Sequence, residues 1–287
     1  MVNLFLDTDF GPDCDDAGAL QLTHYLCNRK EAKLLGVTHC TGNPWGLPAI
    51  SALNRFNGRE VPLGTSANKE FLAIHTIYNR PMAEQFPNEF TDGREQKDAV
   101  DVFKNVLAAQ ADGSVVVCSI GPLNNLADFL SDPECFRLME KKVTRLVAMA
   151  GRFDGTGVPE WNVEMDVPAA RKVVNEWPGE VIFCPFECGL KVVTGQGMKG
   201  YENDPAELAY RLHSGGMRSS WDPMTVLYAV QDEACGLMKR TAWGRIEMDE
   251  RGVTTFREEE GRKHAYLMNV LPDEEISGAL DRMICAR

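Results

Sequence analysis

No stretch of this chain holds enough consecutive apolar residues to cross a membrane. The opening residues 1–6 run straight into acids, without the charged start and long apolar core of a secretory signal. Low-complexity tracts, internal repeats and linker-like runs are missing too, so a single domain over residues 1–287 is expected. Basic charge is scarce. Thirty Lys and Arg stand against 42 Asp and Glu, a formal net charge of −12. That balance argues against a nucleic acid polymer or an anionic membrane surface as the main partner, because both reward a basic patch. A neutral small molecule, or one held through a cation, suits the chain better. Paired-cysteine motifs are absent: the nine cysteines are irregularly spaced, with no C-x-x-C and no Cys/His clustering of the zinc kind. Cys27, Cys118 and Cys184 lie in apolar runs, as reduced, packed thiols do. A reducing cytoplasm is the expected compartment.

What the chain does have is alternation. Apolar β-type runs at 3–6, 34–38, 114–119, 145–149 and 181–184 predict buried strands. Helical patterns fall at 15–27, 48–56, 99–111, 168–176, 205–212 and 223–230, several with Pro near the first turn. Beyond Cys235 the pattern predicts a hairpin from 244–248 and 253–257, a further strand at 265–270 and a last helix starting near Pro272. The expected fold is therefore α/β: an open, mostly parallel sheet flanked by helices, with a C-terminal β-hairpin appendage. Polar clusters follow several of the strands, at 7–16, 39–43, 121–125 and 151–162. In open parallel sheets ligands bind beyond the carboxyl ends of the strands, so these clusters point to one shared crevice.

The segment 6–17, with Asp7, Asp9, Asp13, Asp15 and Asp16, places five carboxylates within ten residues between a strand and a helix. Like charges so crowded repel, and burying them unpaired is costly. A bound divalent cation keeps them ionised together. Calcium fits best, since it accepts many oxygens in a flexible geometry, and magnesium is the second choice. Helix capping by Asp15 and Asp16 is the simpler alternative, and it explains two acids rather than five. A phosphotransferase with an aspartyl nucleophile is a third reading, ill-suited by Phe10-Gly11 and by the lack of an adjoining basic phosphate clamp.

These residues resemble a known family. Asp7-x-Asp9-x-Gly11 followed by Asp15-Asp16-Ala17 is similar to the N-terminal signature of the nucleoside hydrolases of the inosine–uridine-preferring type, in the subgroup with a longer acidic loop. The resemblance continues through Leu35-Gly36-Val37-Thr38 with Gly42-Asn43, through 120–127, through Met149-Ala150-Gly151 with Glu160-Trp161-Asn162, and through Trp221-Asp222-Pro223. It implies a metal-dependent hydrolase that splits ribonucleosides into base and ribose, commonly as a homo-oligomer and in salvage. Carried over by position, Asp9, Asp16, the backbone carbonyl of Asn124 and Asp222 would hold the metal. Asp15, Asn43, Glu160 and Asn162 would bind the sugar hydroxyls, and Asp9 would also take the proton of the attacking water.

Each position has a plainer reading. Asn43 before Pro44 suits a turn, Asn124 and Asn125 suit a helix N-cap, and Asp222 before Pro223 suits another. Glu160-Trp161-Asn162, in a Gly/Pro-rich loop, has no structural requirement visible in the sequence. The chain also departs from the family pattern. Trp221 stands where a histidine usually precedes the last metal-binding Asp, and it offers stacking against a base rather than a proton, or packs in the core. Residues 71–92 lack the family's His-Gly segment, although His75 lies there. His39 and Cys40 fall nearer the expected crevice, and Cys14 reads as packing. Glu187 and Lys191 are candidates for a base pocket or for a plain helix surface. Two rivals to the hydrolase stay open: a ribose- or nucleoside-binding protein without turnover, and a metal-dependent phosphatase.

Overall fold

A computed structural model describes residues 1–74 and 76–286. Its strands are β1 (Val2–Thr8), β2 (Ala32–His39), β3 (Leu63–Thr65), β4 (Val115–Ser119), β5 (Val143–Met149), β6 (Glu180–Cys184), β7 (Val193–Thr194), β8 (Arg218–Ser219), β9 (Met238–Arg240), β10 (Gly244–Met248), β11 (Thr254–Glu258) and β12 (His264–Asn269). Ten of them form one sheet in the order β11-β10-β12-β6-β5-β4-β1-β2-β3, with β9 paired to β12. The run from β3 to β12 is parallel throughout. β9, β10 and β11 join it antiparallel.

The parallel strands read as continuous apolar runs because both faces of the sheet are covered. Alternate side chains still go to opposite faces. Leu4 and Leu6 of β1, Val116 and Cys118 of β4, and Val147 and Met149 of β5 enter one core. Phe5, Val115, Val117, Leu146 and Ala148 enter the other. Helices Asp15–Asn28, Gly46–Phe56, Trp221–Gln231 and Asp273–Ile284 cover the first face. Helices Ala99–Ala108, Asn124–Ser131, Pro133–Lys142 and Val167–Glu176 cover the second.

The predicted C-terminal hairpin is β10–β11. It extends the central sheet through β12, which lies parallel to β6. The helix expected to reach 111 stops at Ala108. No helix among the described residues is long and apolar enough to cross a membrane. The nine cysteines are all free.

Chain order reverses between β1 and β4, since β1 connects outward to β2 on one side while β4 starts the march to β6 on the other. At such a switch point the loops after neighbouring strands diverge and leave a crevice at their carboxyl ends. The loop after β1 is the acidic segment.

Candidate active site

Asp7 is the last residue but one of β1 and is wholly buried. Its Oδ1 accepts from Thr38 Oγ1 at 2.6 Å and from Asn125 Nδ2 at 2.8 Å, tying the ends of β1 and β2 to the turn and helix start that follow β4. Burial pushes its carboxyl up to about 7. Gly121 makes the close approach of that turn possible. A Cβ there would lie 2.7 Å from the Asp9 backbone nitrogen and 2.8 Å from Cys40 Sγ.

The acidic loop is pinned from several sides. Asn79 Nδ2 donates to Phe10 O at 2.5 Å, and Tyr78 Oη donates to Asp13 O at 2.6 Å. The Arg218 guanidinium grips the Asp13 carboxylate through Nε and Nη2 at 2.5–3.0 Å. His213 Nε2 lies 3.0 Å from Pro12 O. Cys14 is buried, with its sulfur 3.7 Å from Ser214 Oγ, so packing is its role.

Asp15 and Asp16 open the Asp15–Asn28 helix, and neither caps it. Asp15 caps another helix. Its Oδ2 accepts from the backbone N–H of Trp221 at 2.9 Å and of Asp222 at 3.1 Å, at the start of Trp221–Gln231. That bond seats Asp222 beside Asp16, whose Oδ1 accepts from Thr8 Oγ1. One carboxylate oxygen from each of Asp15, Asp16 and Asp222 lies within 4.8 Å of the others. Two helix N-termini, which favour negative charge, thus meet at the cluster.

Electrostatics make the cluster unstable as bare anions. Burial, followed by the charge of Asp13, drives the Asp15 carboxyl well above the usual range. Burial and then Asp9 and Asp15 do the same for Asp16, and burial and then Asp15, Asp16 and Asp9 for Asp222. Asp9 rises to about 8, chiefly from burial. A divalent cation reverses this, since it rewards the ionised form of every carboxylate that touches it. The donors are all hard oxygens, so the residues present fit calcium or magnesium and do not fit a soft metal. Asp9 stands outside the tight trio but within hydrogen-bonding reach of Asp16.

A cavity of about 570 Å³ opens over the cluster and is lined by Asp9, Asp15, Asp16 and Asp222 together with Glu160, Asn162 and Trp221. Met149, Met165 and Phe186 supply apolar walls. Glu160 is the N-cap of the short Trp161–Met165 helix. Its oxygens accept from the backbone N–H of Asn162, Val163 and Gly151, and burial raises its carboxyl to about 7. Asn162 Nδ2 donates to Met149 O at 3.0 Å. The trio therefore has a structural task after all. A capping acid three residues ahead of Val163 was the signal for it.

Trp221 forms the wall beside the cluster. Its Nε1–H donates to Phe186 O at 2.8 Å, and its ring stacks on Phe186 with centroids 5.7 Å apart. Gly189 leaves room for it, since a Cβ there would come within 2.6 Å of Trp221 Cα.

Asn43 and Asn124 do not line the cavity. Asn43 Oδ1 accepts from Trp45 N at 2.9 Å and its Nδ2 donates to Ala73 O, the bonding of a turn residue. Asn124 begins its helix without capping it, and its Nδ2 reaches Cys40 O at 2.9 Å. Asn125 serves Asp7 instead of a cap. His39 is buried against Gly46, with burial lowering its ring to about 4, away from the cavity. Glu187 and Lys191 are not in the lining, and Glu187 Oε1 accepts from Phe153 N at 3.0 Å. His75 lies outside the described residues. Arg218, Phe186 and Met165 had no motif around them to mark them in the sequence, whereas Met149 belongs to the Met149-Ala150-Gly151 block.

Comparison with known proteins agrees with this architecture. The family profile described as inosine-uridine preferring nucleoside hydrolase matches residues 4–275. A curated relative, an uncharacterized protein of Schizosaccharomyces pombe, is 29% identical over 188 residues, and the match spans 61% of this chain and 58% of that protein. Among solved structures, an inosine-uridine preferring nucleoside hydrolase from Bacillus anthracis superposes over 100% of both chains with a TM-score of 0.76 at 18% identity. A purine-preferring ribonucleoside hydrolase from Gardnerella vaginalis gives 0.70 at 19% identity, covering 99% of this chain and 100% of that one. An inosine-guanosine nucleoside hydrolase gives 0.73 at 17% identity over 99% of each. The structural likenesses establish the fold, and the profile, spanning nearly the whole sequence, establishes the descent: this chain belongs to the inosine-uridine preferring nucleoside hydrolase family.

Proposed function

We propose that the chain hydrolyses the N-glycosidic bond of ribonucleosides, releasing free base and ribose, with a divalent cation, calcium by preference, in the acidic cluster. The observation that carries this reading is the convergence of Asp9, Asp15, Asp16 and Asp222 with Glu160 on one cavity at the sheet's switch point. Asp9, Asp16 and Asp222, which line the cavity, would hold the cation. When bound, it supplies Lewis acidity toward water and fixes the ribose diol.

The chain's own groups do the rest. Glu160 is held by three backbone N–H groups, which favour its ionised form, so it offers acceptor oxygens to sugar hydroxyls. Asn162 is oriented by Met149 O for the same purpose. Asp15 is fixed by the helix N–H groups and keeps a carboxylate oxygen within 4.8 Å of oxygens of Asp16 and Asp222. Breaking the bond builds positive charge on the ribose ring, and buried carboxylates placed beforehand stabilise it as it develops. Asp9 takes the proton of the attacking water. Phe186 and Trp221 give the base an aromatic wall. The products suit nucleoside salvage.

Incubation with a panel of purine and pyrimidine ribonucleosides, assayed for reducing sugar, tests this. Release above background that Asp9→Ala abolishes is the expected outcome. Tight ribose binding without release would convert the protein into a binding module, and phosphate release from sugar phosphates would make it a phosphatase.

A further inference from the structure

Among the described residues the cavity lining contains no histidine, lysine or tyrosine, and its single cation is Arg218. A purine leaving its ribose carries away the electron pair of the broken bond, so some group must receive or stabilise negative charge on the base side. Trp221 offers no proton, and its indole N–H is already spent on Phe186 O. His213 faces Pro12 and Asp13 rather than the cavity. Arg218 is the remaining charged donor.

Its mounting is suited to the task. Arg218 sits in β8, paired with Thr194 of β7, which holds its backbone in place. Asp13 takes the Nε and Nη2 edge in a two-pronged grip that fixes the guanidinium plane. Nη1 makes none of these bonds. The guanidinium carbon lies over the Trp221 ring, 5.2 Å from its centroid, at the wall of the cavity, and Nη1 with the second N–H of Nη2 is the edge that Asp13 leaves for a base. Asp13 belongs to the acidic loop, and that loop therefore anchors this arginine.

We propose that Arg218 is the leaving-group residue of this site and that its fork selects 6-oxopurine ribonucleosides, whose O6 and N7 edge accepts two parallel N–H bonds. The inference rests on the hydrolase reading above. The C1′–N9 bond breaks and its electron pair goes to the purine. Water oxygen bonds to C1′, and its proton goes to Asp9. The purine anion accepts hydrogen bonds from Arg218, then takes a proton from solvent, while Asp9 returns its own. Arg218 remains charged throughout.

The test compares inosine with 4-nitrophenyl β-D-ribofuranoside, whose leaving group departs without help. Arg218→Gln should lower kcat/KM for inosine about 100-fold, the effect of removing one charge-stabilising donor. The nitrophenyl riboside should lose about threefold or less. Arg218→Lys, which keeps charge without the fork, should fall between wild type and Arg218→Gln on inosine. Should Asp13, left unpaired, disturb the loop in the single variant, Asp13→Asn/Arg218→Gln removes both partners and should show the same selective loss. Equal fractional losses on both substrates in the double variant would overturn the role, and wild-type preference for uridine or adenosine over inosine would overturn the substrate class. Wild type that cleaves the nitrophenyl riboside but loses no inosine activity on substitution overturns this inference alone. Wild type that cleaves neither substrate overturns the hydrolase reading, and this one with it.

Discussion

Removing the cation should make the acidic cluster's contribution to folding stability fall as pH rises, the reverse of ordinary carboxylate behaviour. Without a cation Asp9 is pushed up to about 8 against its usual 3.8, and Asp15, Asp16 and Asp222 are raised as well. A carboxyl whose folded pKa exceeds its unfolded pKa keeps a proton in the folded chain that the unfolded chain has released. The folded state then binds more protons, so stability declines from the unfolded pKa up to the folded one. Between about pH 5 and about pH 7 one such group costs about 1.4 kcal/mol per pH unit. Asp9 alone contributes roughly 3 °C of Tm per pH unit for a chain of this size. Below about pH 6.5 the buried rings of His24 and His39, lowered to about 3 and about 4, tilt the curve the opposite way. Asp7 and Glu160, each near 7, tilt the curve whether or not a cation is present. The informative quantity is therefore the Tm difference between calcium and chelator. Calcium displaces the protons of the cluster, so it stabilises more at higher pH. Thermal unfolding followed across this pH range, with calcium or with EDTA, should show the difference widening steadily. A difference that is zero, or constant with pH, would refute the argument that these carboxylates share a cation.

Three substitutions extend the test. Asp222→Ala removes a carboxylate from the cluster, so calorimetric calcium binding and nucleoside turnover should be lost together; normal turnover after chelation and dialysis would contradict the metal assignment. Trp221→Ala should reduce kcat/KM for purine nucleosides more than for pyrimidine ones, by about fivefold if stacking contributes about 1 kcal/mol beyond contact area; equal losses would remove the stacking role. Gly189→Ala forces a methyl group to within 2.6 Å of Trp221 Cα, and overpacking of this kind typically costs about 1–3 kcal/mol. Its Tm should fall and its purine activity with it, while an unchanged Tm would mean the Trp221 wall yields easily.

Legibility in the sequence followed burial and motif. β1, β2, β4, β5 and β6 could be read because they are covered on both faces and so appear as unbroken apolar runs. β3, β7, β8 and β9 have two or three residues each, too few for any period to register. The Pro133–Lys142 helix was readable in principle, since Asp132 caps it and Pro133 opens it. The acidic loop was visible because five carboxylates so close together repel one another unless a cation offsets their charge.

Residue type and spacing along the chain determined the fold class, the acidic loop and the strand ends where a site would form. Tertiary structure decided how those residues are used. Asp15 caps a helix that begins 206 residues later, Asn43 is spent on its own turn, and Glu160 anchors a short helix at the cavity wall. Arg218 meets Asp13 across 205 residues. A hydrogen bond acts over about 3 Å, whereas the order of residues constrains distance only along the backbone. Partners brought together by the sheet's crossovers therefore leave no local trace in the order of the residues.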